Sequence, residues 1–169
     1  MTWLHWQLYL GMPESLTQNT SNKQHGILLA FDFGLRQTGL AVGQTLTKNV
    51  RPLAVIKAND GKPDWPLVEK YLEEFKPIYL IVGLPLNMDG SDSAMTQRAR
   101  KFANRLHGRF GLEVVLQDER LSSKEAKQDL RDQVAHHQRN EKRNKKMTAL
   151  DSVDAQAAAI ILQSHFNAQ

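Results

Sequence analysis

Between Ile27 and Phe33 the chain is apolar at every position except Asp32, and the run closes at Gly34. An apolar run without alternation marks a strand buried on both faces, as at the centre of a parallel sheet. Thr38 to Val42 and Pro52 to Ile56 are shorter apolar segments set off by turn-forming residues, so the first three runs read as an antiparallel meander. From Asp64 to Phe75 the period changes. Trp65, Leu67, Val68, Tyr71, Leu72 and Phe75 recur at helical spacing, and Pro77 marks the end. Ile78 to Val82 is a second all-apolar strand, Ser93 to Phe110 a basic amphipathic helix halted near Gly108 and Gly111, and Leu112 to Leu116 another strand. Ser122 with Glu125 reads as a capping box opening a helix through about Val134. Thr148 with Asp151, at the same spacing, opens a last helix whose Ala155, Ala157, Ala158 and Ala159 allow close approach to a sheet.

This order implies parallel pairing wherever a helix separates two strands. The predicted fold is α/β: a five-stranded mixed sheet, three strands in an antiparallel meander plus two parallel strands, with helices on its faces. A chain of 169 residues holds one such domain, placed at 27–169. Residues 1–26 carry no clear element signals and are expected to form a flexible extension. No run approaches the roughly 20 apolar residues needed to span a bilayer. The opening Trp3, Leu4, Trp6, Leu8, Tyr9 and Leu10 are broken by His5 and Gln7 without a cationic leader, so no signal peptide is expected and the cytoplasm is the predicted compartment.

Composition narrows the chemistry. Cysteine is absent, which excludes disulfides, thiolate metal sites and cysteine nucleophiles, and leaves oxygen or imidazole to hold any metal. The net charge of +4 is mild but uneven: Arg139, Lys142, Arg143, Lys145 and Lys146 crowd one stretch opposed only by Glu141, a candidate contact to nucleic-acid backbone. Arg98, Arg100, Lys101, Arg105 and Arg109 are candidates to extend it. Gly34 to Gly39 lacks the lysine and hydroxyl of a phosphate-binding Walker loop. His136 and His137 would diverge by about one hundred degrees on a helix, against a shared zinc.

The carboxylates are more telling. Asp32 stands at the carboxyl end of an apolar strand, where an uncompensated charge is costly and where open α/β sheets bind ligands. Asp118 and Glu119 end the last strand at the same sheet edge. As neighbours they point to opposite faces, so only one of them can join Asp32. Asp151 and Asp154 share a face at the start of the final helix; Asp151 is explained by its capping role, whereas Asp154 lies deeper, beside the alanines. Carboxylates from three elements gathered at one edge would repel unless a cation resolved the repulsion. Oxygen-only ligands suit Mg²⁺ or Mn²⁺, ions that can hold a phosphate and activate a water.

Four ordered blocks carry a family resemblance. They are Phe31-Asp32-Phe33-Gly34 with Gly39 to Gly43, Val82 to Gly90, Asp118 to Ser122, and Asp154 to Leu162. Over about Ile27 to Phe166 the chain resembles the YqgF family, also called RuvX. The resemblance implies an RNase H-like fold and a bacterial cytoplasmic nuclease, described both as maturing the 5′ end of pre-16S rRNA and as a Holliday junction resolvase. The family's acidic positions map to Asp32, Glu119 and Asp154, the expected catalytic and metal-binding residues for two Mg²⁺ or Mn²⁺ ions; Asp151 and Asp89 are further candidate ligands by their position in the sequence alone. The choice of Glu119 over Asp118 comes from the family. Arg36, Arg120 and the 139–146 cluster are the candidate nucleic-acid contacts. The expected partners are structured RNA, such as a pre-ribosomal particle, or branched DNA, with the chain a monomer or homodimer. Two rivals stand beside this: a sugar-kinase or actin-like nucleotide binder, for which the chain is too short, and a non-catalytic RNA-binding module in which Asp32 is structural. Asn87 and Asp89, after a strand end, are candidates to line the substrate groove.

Overall fold

The structure, a computed structural model, describes residues 25–120 and 153–169. Strands β1 (Ile27–Asp32), β2 (Gln37–Gln44), β3 (Val50–Asn59) and β4 (Lys62–Pro63) come first. Helix α1 (Trp65–Phe75), strand β5 (Tyr79–Leu84), helix α2 (Ala94–Phe110), strand β6 (Val114–Asp118) and helix α3 (Val153–Asn167) follow. They build one sheet of order β4-β3-β2-β1-β5-β6. β1 runs antiparallel to β2 and parallel to β5, and β6 is parallel to β5. The expected meander and its two parallel neighbours are both there, in an RNase H-like arrangement.

The extra strand corrects the five-strand expectation. Asp60 and Gly61 both take positive φ, 47° and 75°, which is what a two-residue hairpin with the sheet's own twist requires. The chain therefore turns back for two residues, pairing Lys62 with Asn59 and Pro63 with Ala58, before Asp64 caps α1 by accepting from the Leu67 N–H. β6 starts two residues later than its apolar run. Gly111, at φ 67°, ends α2, and the Leu112 carbonyl lies 2.8 Å from His107 Nδ1 and not in the ladder.

Alternation along the strands sorts the core into two layers. Leu29, Phe31, Leu40, Val42, Leu80 and Val82 face α1 and α2, where Phe102 packs against Phe31, Phe33 and Trp65 at centroid separations of 5.8, 5.2 and 6.1 Å. Leu28, Ala30 and Ile81 face α3 and its Ile161, Leu162 and Phe166. Each such large side chain contributes about 1.5–3 kcal/mol through burial.

Helix α3 lies close to the sheet because both surfaces are small there. Ala155 and Ala158 are fully buried, and β2 offers Gly39 and Gly43 on the same face. A Cβ at Gly39 would sit inside the van der Waals envelope of the Asp154 carbonyl oxygen, whereas one at Gly43 would meet Asn49 O and the movable ends of Leu162 and Phe166 at 2.9–3.0 Å. The alanine run thus has the packing role its composition suggests.

At the amino end of the sheet α3 buries His165, with Nδ1 3.2 Å from Gln117 Oε1 and Nε2 3.1 Å from the Tyr79 hydroxyl. Burial pushes its pKa below the ordinary 6.5. The unfolded chain then binds the proton more readily, so this contribution to stability is complete above about pH 6.5 and is lost as pH falls through the lowered folded value. His165→Gln is expected to flatten the fall in urea midpoint between pH 7.5 and 5 relative to the parent; parallel curves would show that the residue does not supply it. No helix among the described residues is long and apolar enough to cross a membrane.

Candidate active site

Asp32 is the last residue of β1, partly buried and paired with Gly39 of β2. Because Leu28 and Ala30 face α3, alternation turns Asp32 to α3 as well. On β6 the same logic separates Asp118 from Glu119. Gln117 points to α3, where it meets His165, so Asp118 turns away and Glu119 returns. The Glu119 carboxylate rests against Gly83 of β5, beside Ile161 of α3, in space that only a glycine leaves open. Its backbone N–H donates to Leu84 O at 3.2 Å.

Asp118 has another occupation. Its carboxylate accepts from Arg120 Nη2 at 2.7 Å and Nε at 3.1 Å, and from the Arg120 backbone N–H at 2.9 Å. These bonds hold its carboxyl below the usual carboxylate range and raise the pKa of Arg120. Register therefore decides between the two acids, which periodicity alone had left open.

Asp154 comes from the first turn of α3, pressed against Gly39, and its carboxylate accepts from the side-chain amide of Gln37 at the head of β2. Asp32, Glu119 and Asp154 thus share one face and one end of the sheet. They spread over three adjacent strands, β2, β1 and β5, whose spacing of roughly 4.8 Å sets the outer two about 10 Å apart. Among the described residues no group of three or more His, Asp or Glu side chains stands in a position to hold a metal ion. The backbone gathers the acids on one face; as they stand, the side chains do not form a ligand cage.

The loop from Leu84 to Asp92 leaves the sheet at this edge and leads into α2. Thr96, fully buried, forms a capping box with Ser93 and donates to Pro85 O, and Leu86 bridges to Asp92. Asp89 Oδ1 accepts from Ser91 Oγ at 2.6 Å and from its N–H at 2.9 Å, which lowers the Asp89 pKa. Asn87 donates its amide to Ser91 Oγ at 2.9 Å. Gly90, at φ 87°, backs onto Arg120, whose Nη1 lies 3.1 Å from where a Cβ would be. Arg120 is thus committed to Asp118 and to this loop. Arg36 is exposed between β1 and β2, its carbonyl accepting from Ala58 N at 2.7 Å.

The basic helix α2 is less open than its sequence suggests. Arg98 pairs with Asp60 at 2.7 Å, Arg100 with Asp92 at 3.2 Å, and Arg109 lies over Trp65 at 4.5 Å from the ring centroid. Asp151, Arg139, Lys142, Arg143, Lys145, Lys146, the predicted helix through Val134 and the Thr148–Asp151 cap lie outside the described residues. Sequence reasoning passed over Gln37, a polar residue at a strand start with no pattern to distinguish it. It also passed over Gly83, whose signal was its place at a strand's carboxyl end.

The fold and its acidic edge define an RNase H-like α/β domain with candidate chemistry on the α3 side. A family model described as "RuvX: Holliday junction resolvase" matches residues 26–168, and the chain belongs to this family. It is 53% identical over 141 residues, 83% of this chain and 96% of the relative, to the "Putative pre-16S rRNA nuclease" of Escherichia coli O7:K1 (strain IAI39 / ExPEC). Proteins of the same name in Shigella boydii serotype 18 and Escherichia fergusonii match to the same extent. Among solved structures, Thermus thermophilus RuvC in complex with a Holliday junction substrate superposes with a TM-score of 0.49 at 18% identity, covering 85% of this chain and 95% of that one. The fowlpox virus Holliday junction resolvase gives 0.49 at 15% identity, covering 85% and 99%.

Proposed function

We propose that this chain is a divalent-metal-dependent nuclease that hydrolyses phosphodiester bonds in structured RNA, acting in the cytoplasm on the 5′ end of pre-16S rRNA. The observation that carries the reading is the delivery of Asp32, Glu119 and Asp154 from three separate elements to one face at the carboxyl edge of the sheet. A structural aspartate at position 32 would not need the other two there. The name borne by relatives 53% identical to it, "Putative pre-16S rRNA nuclease", supports the substrate class.

The donor chemistry fits Mg²⁺ or Mn²⁺, being all oxygen and anionic. Asp32, on the middle strand, would hold the ions together with Glu119 on its β5 side and Asp154 on its β2 side. When bound, such ions polarise the phosphate, lower the pKa of a water and neutralise the departing oxygen. The chain's own part is to set the three carboxylates on a rigid sheet edge and to floor the site with Gly83 and Gly39. The 84–92 loop would wall one side, with Asn87 and Asp89 bordering a strand of substrate. No protein nucleophile is required, and products with a 5′ phosphate and a 3′ hydroxyl are expected.

The deciding experiment offers the protein, with Mn²⁺, an RNA bearing the pre-16S 5′ leader and, separately, a four-way DNA junction. Shortening of the leader, stopped by chelator, is expected. Faster cutting of the junction, by a symmetric dimer with paired sites, would instead make the chain a resolvase. RNA binding without cleavage of either substrate would reduce it to a binding module.

A further inference from the structure

The acids share a face yet do not form a ligand cage, and Gln37 hydrogen-bonds to one of them. Gln37 opens β2, fixed by pairing with Lys57 of β3 and by the neighbouring Arg36 carbonyl accepting from Ala58. Parity with Gly39 and Gly43 turns its side chain to the α3 face. Gly39 lets the first turn of α3 settle against β2, which puts the Asp154 carboxylate within reach of the Gln37 amide. Glu119 rests over β5, on the far side of Asp32. The amide thus meets the Asp154 carboxylate at β2, on the opposite side of β1 from the strand where Glu119 rests.

We propose that Gln37 is a positioning residue that holds Asp154 on the β2 side, so that its amide competes with a divalent cation for that carboxylate. The inference rests on the nuclease reading above, since it takes Asp154 to be a metal ligand. The residue type suits the role. A neutral amide donates a hydrogen bond to the carboxylate and yields to a divalent charge, whereas a lysine or arginine at the same place would form a full ion pair and yield less readily. Both partners are at least partly exposed, so the tether is weak and its release needs only a side-chain rotation. Gln37 thus sets the ion concentration at which the site fills, without itself touching metal or substrate.

The test is direct Mn²⁺ binding to the full chain, followed by electron paramagnetic resonance, for the parent, Gln37→Ala, Gln37→Lys, Asp154→Asn and the Gln37→Ala/Asp154→Asn pair. Gln37→Ala is expected to bind Mn²⁺ about three- to tenfold more tightly, the range of one net hydrogen bond, and Gln37→Lys more weakly than the parent. In the Asp154→Asn background the Gln37→Ala change should have no effect. Unchanged or weaker binding by Gln37→Ala, with Asp154→Asn impaired, would overturn the tether while leaving the metal site standing. Parental Mn²⁺ binding by Asp154→Asn would overturn both.

Discussion

Asparagine in place of Asp32 is expected to abolish Mn²⁺-dependent cleavage, by about 10³-fold or more, and to leave nucleic-acid binding intact. The substitution keeps size and hydrogen-bonding capacity and removes the negative charge, so it separates an electrostatic role from a packing one. Asp32 stands at the end of β1, between β2, against which the first turn of α3 brings Asp154, and β5, against which Glu119 rests, so on the nuclease reading its charge would be central to holding the ions. Losing it withdraws several kcal/mol of charge stabilisation from the transition state, and each 1.4 kcal/mol is about tenfold in rate. Initial rates on leader RNA at saturating Mn²⁺, with affinity for the same RNA measured by fluorescence anisotropy, make the comparison. Equal turnover by variant and parent would remove Asp32 from the chemistry and leave it a structural residue.

The second large effect is expected at a position with no functional group. Gly39→Ala should cost about 3 kcal/mol of stability, because the added methyl meets the backbone of α3 and not the end of a flexible side chain. The first turn of α3 must lift, and Asp154 lifts with it. Gly43→Ala is the matched control. Two of its three close neighbours are side-chain ends that can shift, and its cost should be nearer about 1 kcal/mol. Urea midpoints give the stabilities. Mn²⁺ affinity of the still-folded fraction should fall for Gly39→Ala and hold for Gly43→Ala. Equal stability of the two variants would mean that the helix seats by side-chain packing and not by backbone approach.

How much of this could be read from the chain alone differs by kind of feature. The unbroken apolar runs at Ile27 and Ile78 announced buried parallel strands because they are flanked by helices on both sides and leave no polar face. The helical spacing from Trp65 to Phe75 announced α1 for the complementary reason. The β4 hairpin escaped because its evidence is two backbone angles at Asp60 and Gly61, not a hydrophobic pattern. Within the site, parity along a single strand could say that only one of Asp118 and Glu119 faces Asp32. The family resemblance chose Glu119; the physical ground for that choice is the position of Gln117 against His165, a contact between residues 48 apart in the chain. Gln37 and Asp154 lie 117 residues apart and belong to no common motif. Pairing of Arg120 with the acid that turns away from Asp32 was open to sequence reasoning, since the two are near neighbours in the chain; the two-pronged fork it makes with Asp118 was not.

That fork shapes what an approaching polyanion would feel. Asp118 and Arg120 cancel one another two residues apart, and the same guanidinium draws on Asp89 across Gly90. One guanidinium is thereby shared by two carboxylates, so the charge of this rim is reduced and not reversed. A guanidinium spent on two carboxylates has less charge to offer an approaching phosphate, so Arg120 serves this edge by tying the end of β6 to the 84–92 loop and not as an open anion contact.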